Sequence, residues 1–221
     1  MDRDAFGDWA TQVGLHQSEA QLDAISAFLC ELYERNAVMN LTRIKPEEAW
    51  LRHIADSLLF QDILPRNATV LDIGTGPGLP AWPLALLRTD LAVTALDSSG
   101  KMLGFLRSQP LPNLTVVEAR AEDWSVRNRF DIVTGRAVAP LPIQLEISAA
   151  PCRVGGAVIP MRTGADDLEL SVGVLGLILE SVVERTLPGT EIQRVFPVFR
   201  KEKPTPGRYP RRWAEIRARP I

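Results

Sequence analysis

The sequence has few cysteines, no long apolar run and almost no net charge. Its two cysteines, Cys30 and Cys152, are too few for a disulfide framework and make no metal site. No segment approaches the roughly 20 apolar residues that a membrane-spanning helix needs. The longest candidate, Val172 to Leu179, contains two glycines and stops at Glu180. The start, Met1-Asp2-Arg3-Asp4, is acidic where a secretory signal would be basic. These absences predict a soluble, cytoplasmic protein with no membrane partner and no metal. A formal net charge of −2 supplies no general attraction to nucleic acid.

The distribution of that charge is uneven. Residues 200 to 221 hold eight basic and two acidic side chains, so this end carries +6 and the rest of the chain −8. A basic end on an acidic body is the pattern of an electrostatic footprint for phosphates, with Lys201, Lys203, Arg208, Arg211 and Arg212 as candidate contacts. A solubilising tail has the same composition, and charge alone does not separate the two.

The 221 residues suit one α/β domain with a helical extension. The expected parts are an N-terminal helical extension over 1–66, a core over 67–200 and a basic tail over 201–221. Residues 4 to 37 read as two helices, with Ser18 and Gln21 at capping-box spacing before Leu22, Ile25, Phe28, Leu29, Leu32 and Tyr33. Asn36 to Thr42 is an Asn-rich break. Pro46 then opens a helix that continues from Glu47 to Phe60. Strands are predicted over 69–73, 91–96, 114–118, 130–134 and 157–160, alternating with helices over 80–87, 101–107 and 142–150. Residues 166 to 199 read as one more helix and two closing strands. This alternation predicts a doubly wound, mostly parallel sheet covered on both faces.

The strongest local signal is Val70-Leu71-Asp72-Ile73-Gly74-Thr75-Gly76-Pro77-Gly78-Leu79, a strand running into a glycine turn and then a helix. Such a turn lets backbone approach a ligand closely. Asp97 ends the next strand, 23 residues after Gly74, where a carboxylate can accept hydrogen bonds from ribose hydroxyls. A dinucleotide loop reads G-x-G-x-x-G/A, but here the third glycine is early, at Gly78, and Leu79 stands at the small-residue position. The G-x-G-x-G form, with Asp72 two residues ahead, suits S-adenosylmethionine (SAM). A carboxylate there repels pyrophosphate and favours the cationic amino acid and sulfonium of SAM.

With these residues in place, the chain resembles the glucose-inhibited-division protein B family, bacterial methyltransferases that modify N7 of a guanosine in 16S ribosomal RNA. The resemblance runs from about Asn36 to Pro210. It is carried by Asn36-x3-Asn40-Leu41-Thr42, His53-Ile54-Ala55-Asp56-Ser57-Leu58, the loop from Leu71 to Pro83, Asp97-Ser98-x2-Lys101, Arg120-Ala121-Glu122, Gly135-Arg136-Ala137-Val138-Ala139 and Arg208-Tyr209-Pro210-Arg211. It implies SAM bound by Gly74, Leu79, Ala121, Glu122 and Arg136, to which the motif reading adds Gly76, Gly78 and Asp97. It implies 16S RNA or the small ribosomal subunit as partner.

Guanine N7 has a lone pair and no proton, so no catalytic acid or base is required. Rate would come from positioning at attack distance, with Arg136 as candidate substrate orienter. His53 and Asp56, three apart on one helix face, read as structural supports of the Asn40-Leu41-Thr42 turn. The chain departs from the family pattern at Gly135, where Ser is usual, at Arg162, where Lys is usual, and in the stretch Trp213 to Ile216. The alternative is a SAM-dependent methyltransferase of a small molecule or protein. A binding module that holds SAM structurally, or a nicotinamide oxidoreductase disfavoured by Leu79, would share the same turn.

Gly76→Val is expected to abolish binding of SAM and of its demethylated product, S-adenosylhomocysteine, because a branched side chain fills space the cofactor needs. Calorimetry on the folded variant checks this; unchanged affinity contradicts it.

Overall fold

The structure, a computed structural model, describes residues 1–221 except Ala165, Asp167 and Glu169. Helix α1 (Arg3–Gln12) is capped by Asp2, whose side chain accepts from the Ala5 amide. Helix α2 (Glu19–Met39) begins with the expected capping box: Ser18 Oγ accepts from Gln21 N at 3.3 Å and Gln21 Oε1 from Ser18 N at 2.9 Å. It ends at Asn40, which takes the left-handed φ of 50° that asparagine tolerates better than most side chains. The Asn-rich break then folds on itself, with Asn36 Oδ1 accepting from the Thr42 amide at 2.8 Å.

The segment read as one helix over 47–60 is three pieces. A 3-10 turn (Pro46–Glu48) leads into a π-helical turn (Trp50–Ala55) and then the short α3 (Asp56–Leu58). Hydrophobic spacing does not signal a π turn, which widens the helix locally and is often found at functional sites.

The core alternates β1 (Thr69–Ile73), α4 (Ala81–Leu87), β2 (Ala92–Asp97), α5 (Gly100–Arg107), β3 (Leu114–Glu118), β4 (Phe130–Arg136), α6 (Leu141–Ala149) and β5 (Cys152–Met161). Strands β6 (Leu177–Thr186) and β7 (Gln193–Lys201) close the sheet, and α7 (Trp213–Ala218) follows. The seven strands lie in the order β3-β2-β1-β4-β5-β7-β6, with β7 antiparallel to both its neighbours and the other pairs parallel. This is the doubly wound sheet the alternation predicts.

Three differences have local causes. Strand β5 runs back to Cys152 because the sheet absorbs Gly155-Gly156 as an irregularity, where its register against β4 shifts between Phe130 and Ile132. Among the described residues the helix expected after 166 is only a 3-10 turn (Val172–Leu175), and positions 167 and 169 lie outside them. Helix α7 has no counterpart in the sequence reading, because only one of its side chains, Ile216, is buried within a run dominated by charge.

Alternate residues of each central strand face opposite layers. Val70, Val93 and Ile132 pack under α1, α2, α4 and α5, whereas Leu71, Leu96 and Val133 pack under α6 and α7. Order reverses at β1, whose two neighbours are β2 and β4, and the C-terminal ends of these strands form the crevice where such sheets bind ligands. The N-terminal helices join this core through Phe28, whose ring stacks on Trp82 of α4 at 4.1 Å between centroids and meets Phe105 of α5 edge-on at 5.3 Å.

Phe28→Ala is expected to lower unfolding free energy by about 3–5 kcal/mol in urea titration, the cost of emptying an aromatic core site. A loss below about 1 kcal/mol would mean that α2 does not share the cooperative core.

Candidate functional site

Two carboxylates hold the glycine turn after β1. Asp97 Oδ2 accepts from Gly76 N at 2.8 Å, and its Oδ1 accepts from Ser99 N at 2.8 Å. Asp72 Oδ2 accepts from Ala81 N at 3.2 Å from beneath the turn. The amides of Gly74 and Thr75 both donate to Leu96 O, at 2.7 and 3.1 Å. Gly76 adopts φ +58°, and a Cβ built there would meet nothing within 4 Å. Gly78 is different: at φ +107° its Cβ would lie 2.5 Å from Leu106 Cδ1, so it serves packing against α5.

Gly74 is common to two cavities. The smaller, about 210 Å³, is walled by Asp97, Ala121, Glu122 and Trp213 with apolar Ile73, Leu96 and Val138. Glu122 is nearly enclosed and accepts from Arg120 Nε at 2.5 Å. Asp97 spends one oxygen lone pair on each of two amides, which leaves a carboxylate further acceptor capacity toward the cavity. The larger cavity, about 600 Å³, takes Gly76, Leu79 and Arg136 from the expected set.

The larger cavity is cationic. Arg43, Arg52, Arg136, Arg162 and Arg194 line it, and Asp56 is its one acidic residue among those described. Asp56 is buried and accepts from Arg194 Nε and Nη2 at 2.8 and 3.0 Å, with Arg136 Nη1 at 3.6 Å. Arg136 also donates to Arg52 O at 3.1 Å. Burial pushes the Arg136 guanidinium below its usual value, partly offset by Asp56. Ala137 follows with φ 54°, a strained conformation for a side-chain-bearing residue, directly beside the arginine.

His53 supports the Thr42 turn as expected, its Nε2 lying 3.0 Å from Thr42 Oγ1. Asp56, expected to support the same turn, is instead bound to arginines from β4 and β7. Burial, with Arg136 and Arg52 nearby, lowers the His53 pKa to about 3, so its ring is neutral at physiological pH.

Both departures near the sheet edge have a structural context. A Cβ at Gly135 would sit 2.7 Å from Ile73 O, so this backbone has no room for a serine. Arg162 donates to Ala139 O at 2.9 Å and Gln144 Oε1 at 3.1 Å while pairing bidentately with Asp166 at 2.6 and 2.9 Å, a fork that lysine cannot reproduce.

The tail is less free than its charge suggests. Lys201 is fully buried at the end of β7, donating to Ala149 O at 2.6 Å, Leu175 O at 3.1 Å and Thr205 Oγ1. It therefore cannot contact a phosphate, and burial lowers its ammonium to about 8. Arg211 pairs with the buried Glu146 of α6 at 2.9 and 2.5 Å, a structural duty. Lys203, Arg208 and Arg212 are exposed.

A profile of the family described as rRNA small subunit methyltransferase G matches residues 21–195. The chain is 34% identical to the Ribosomal RNA small subunit methyltransferase G of Lactobacillus johnsonii, with 100% of both chains covered. It is 34% identical to the protein of the same name from Acetivibrio thermocellus, covering 96% of this chain and 93% of that one. The chain belongs to the rRNA small subunit methyltransferase G family. Its fold is shared with a TehB-like SAM-dependent methyltransferase from Corynebacterium glutamicum at TM-score 0.55, 17% identity, and coverage of 80% of this chain and 100% of that one.

The family member is a SAM-dependent methyltransferase, and its site fits that cofactor. Asp72 Oδ1 is buried with no hydrogen-bond partner under the turn, so its carboxyl can act on a cationic ligand above the turn only as a nearby charge. Gly76 faces open space, and carboxylates Asp97 and Glu122 stand where nucleoside donors would need acceptors. Sequence reasoning missed Arg43, Arg52, Arg194 and Trp213. None belongs to a local motif, and Asp56 and Arg194 are 138 positions apart. No helix among the described residues is long and apolar enough to cross a membrane.

Burial raises the Asp72 carboxyl to about 7. A folded pKa above the unfolded value favours the fold at acid pH, and that contribution is lost as pH rises from about 4 through about 7. A cationic ligand prefers the carboxylate. SAM affinity should therefore rise with pH through about 7. Asp72→Asn should flatten this profile. Calorimetry between pH 5.5 and 8.5 reads it, and a flat wild-type curve contradicts the assignment.

Proposed function

We propose that this enzyme methylates N7 of a guanosine in 16S ribosomal RNA, in the cytoplasm. The observation that carries this reading is the arginine lining: Arg43, Arg52, Arg136, Arg162 and Arg194 line one cavity of about 600 Å³ that adjoins the turn at Gly74, with Arg194 and Arg162 held in place by Asp56 and Asp166. A polyanion substrate is the chemistry such a wall suits, since phosphate contacts hold a nucleic acid in register.

Bound SAM supplies an electrophilic methyl group. Guanine N7 presents a lone pair and no proton, so the chain has no proton to remove. Its work is to bind, orient and exclude water. Gly74, Gly76, Leu79, Asp97, Ala121 and Glu122 would hold the cofactor, with Gly78 packing the turn on α5. Arg136 would orient the guanine or its phosphate, held by Asp56 and the Arg52 carbonyl. Attack at a single base edge suits an extruded or looped nucleotide better than a paired one. Exposed Lys203, Arg208 and Arg212 would add phosphate contacts at the margin.

Mass mapping of 16S RNA from cells with and without the enzyme tests the reading. A methylated guanosine should be absent from the deletion strain, restored by the wild-type gene and largely missing with Arg136→Ala. That variant should melt within a few degrees of wild type, because Arg194 still pairs with Asp56. Loss of stability parallel to loss of methylation would make Arg136 a structural ion-pair partner, and unchanged 16S methylation in the deletion strain would point to a small-molecule or protein substrate.

A further inference from the structure

Trp213 is the one wall of the smaller cavity contributed by the C-terminal tail. The other walls come from the ends of β1 and β2, the loop after β3, Val138 and Ile147. We propose that Trp213 belongs to the cofactor site, offering its indole as the flat apolar surface against the purine of SAM, so that α7 is a wall of that site. The proposal rests on the SAM cofactor and not on which RNA is methylated.

The surroundings supply what a purine nucleoside requires. Asp97 and Glu122 are acceptors, and Ile73, Leu96 and Val138 are apolar. The Arg120 guanidinium lies over the Trp213 ring, 5.6 Å from its centroid, and donates to Glu122 from the same group. Trp213, Arg120 and Glu122 thus form one connected unit at the cavity's edge. Flat aromatic faces favour nucleobases because every base has a π-face.

Helix α7 is also fixed in place, which a binding wall must be. Arg211, two residues ahead of Trp213, donates its amide and its guanidinium to the buried Glu146 of α6. Arg127 donates to the carbonyls of Thr205, Pro206 and Tyr209, clamping the approach to the helix. Ile216 is fully buried under the same layer as α6. The Arg211–Glu146 ion pair therefore acts to position a cavity residue.

The test is calorimetric titration of S-adenosylhomocysteine into the wild type, Trp213→Phe and Trp213→Ala, with tryptophan emission recorded in parallel. Removing the aromatic face should weaken binding about tenfold in Trp213→Ala, while Trp213→Phe stays within about threefold. The emission change that S-adenosylhomocysteine causes in the wild type should vanish in Trp213→Phe, since its source is gone. Affinity of folded Trp213→Ala within about twofold of wild type would overturn the proposal. So would an emission change that persists in full in Trp213→Phe, which decides the matter if the Ala variant fails to fold.

Discussion

The site depends on how two strand-end carboxylates restrain one glycine turn. Asp97 takes the Gly76 amide and Asp72 the first amide of α4, so the turn is pinned from β2 on one side and from β1 below. That restraint keeps Gly76 in a left-handed conformation facing open space and leaves Gly74 as the divide between two cavities. Each cavity then has its own chemistry. The side with Asp97 and Glu122 presents carboxylate acceptors, and the side with Arg136 presents guanidinium groups.

The arginine wall carries an electrostatic cost that three carboxylates share: Asp166 pairs with Arg162, Glu48 with Arg52, and Asp56 with Arg194 and Arg136. Like charges lining a common cavity repel, and Asp56 answers two of them from a buried position. Its two partners come from β4 and β7, so the contact also ties the N-terminal segment to both sides of β5. The π-helical turn ahead of Asp56 delivers Arg52 and His53 to the same cavity. This accounts for a helical extension that packs on the core and at the same time furnishes part of the arginine-lined cavity.

The parallel core was legible because its strands are short apolar runs between glycine and proline punctuation; Leu114–Glu118 was bounded as expected. The glycine turn was legible because its residues are contiguous and Asp97, which binds it, lies one β–α unit away. The π turn was not, since the apolar spacing of 47–60 fits a regular helix equally well. The basic tail misled in part: Lys201 and Arg211 read as surface charge, yet one is buried on carbonyl oxygens and the other is committed to Glu146. Long-range ion pairs such as Asp56 with Arg194 leave no local trace. Trp213 escaped for the same reason, its place at the smaller cavity set by a helix packing against α6 from the far end of the chain.

The division of labour across Gly74 is the centre of this account, and a crystal structure of the enzyme with S-adenosylhomocysteine tests it most directly. The account predicts the adenosine half in the cavity of Asp97, Glu122 and Trp213, and the amino-acid half passing over Gly74 to Gly76 at the near edge of the arginine-lined cavity, with the rest of that cavity open to substrate. Adenosine seated among Arg52, Arg136 and Arg194, with the smaller cavity empty, would contradict it.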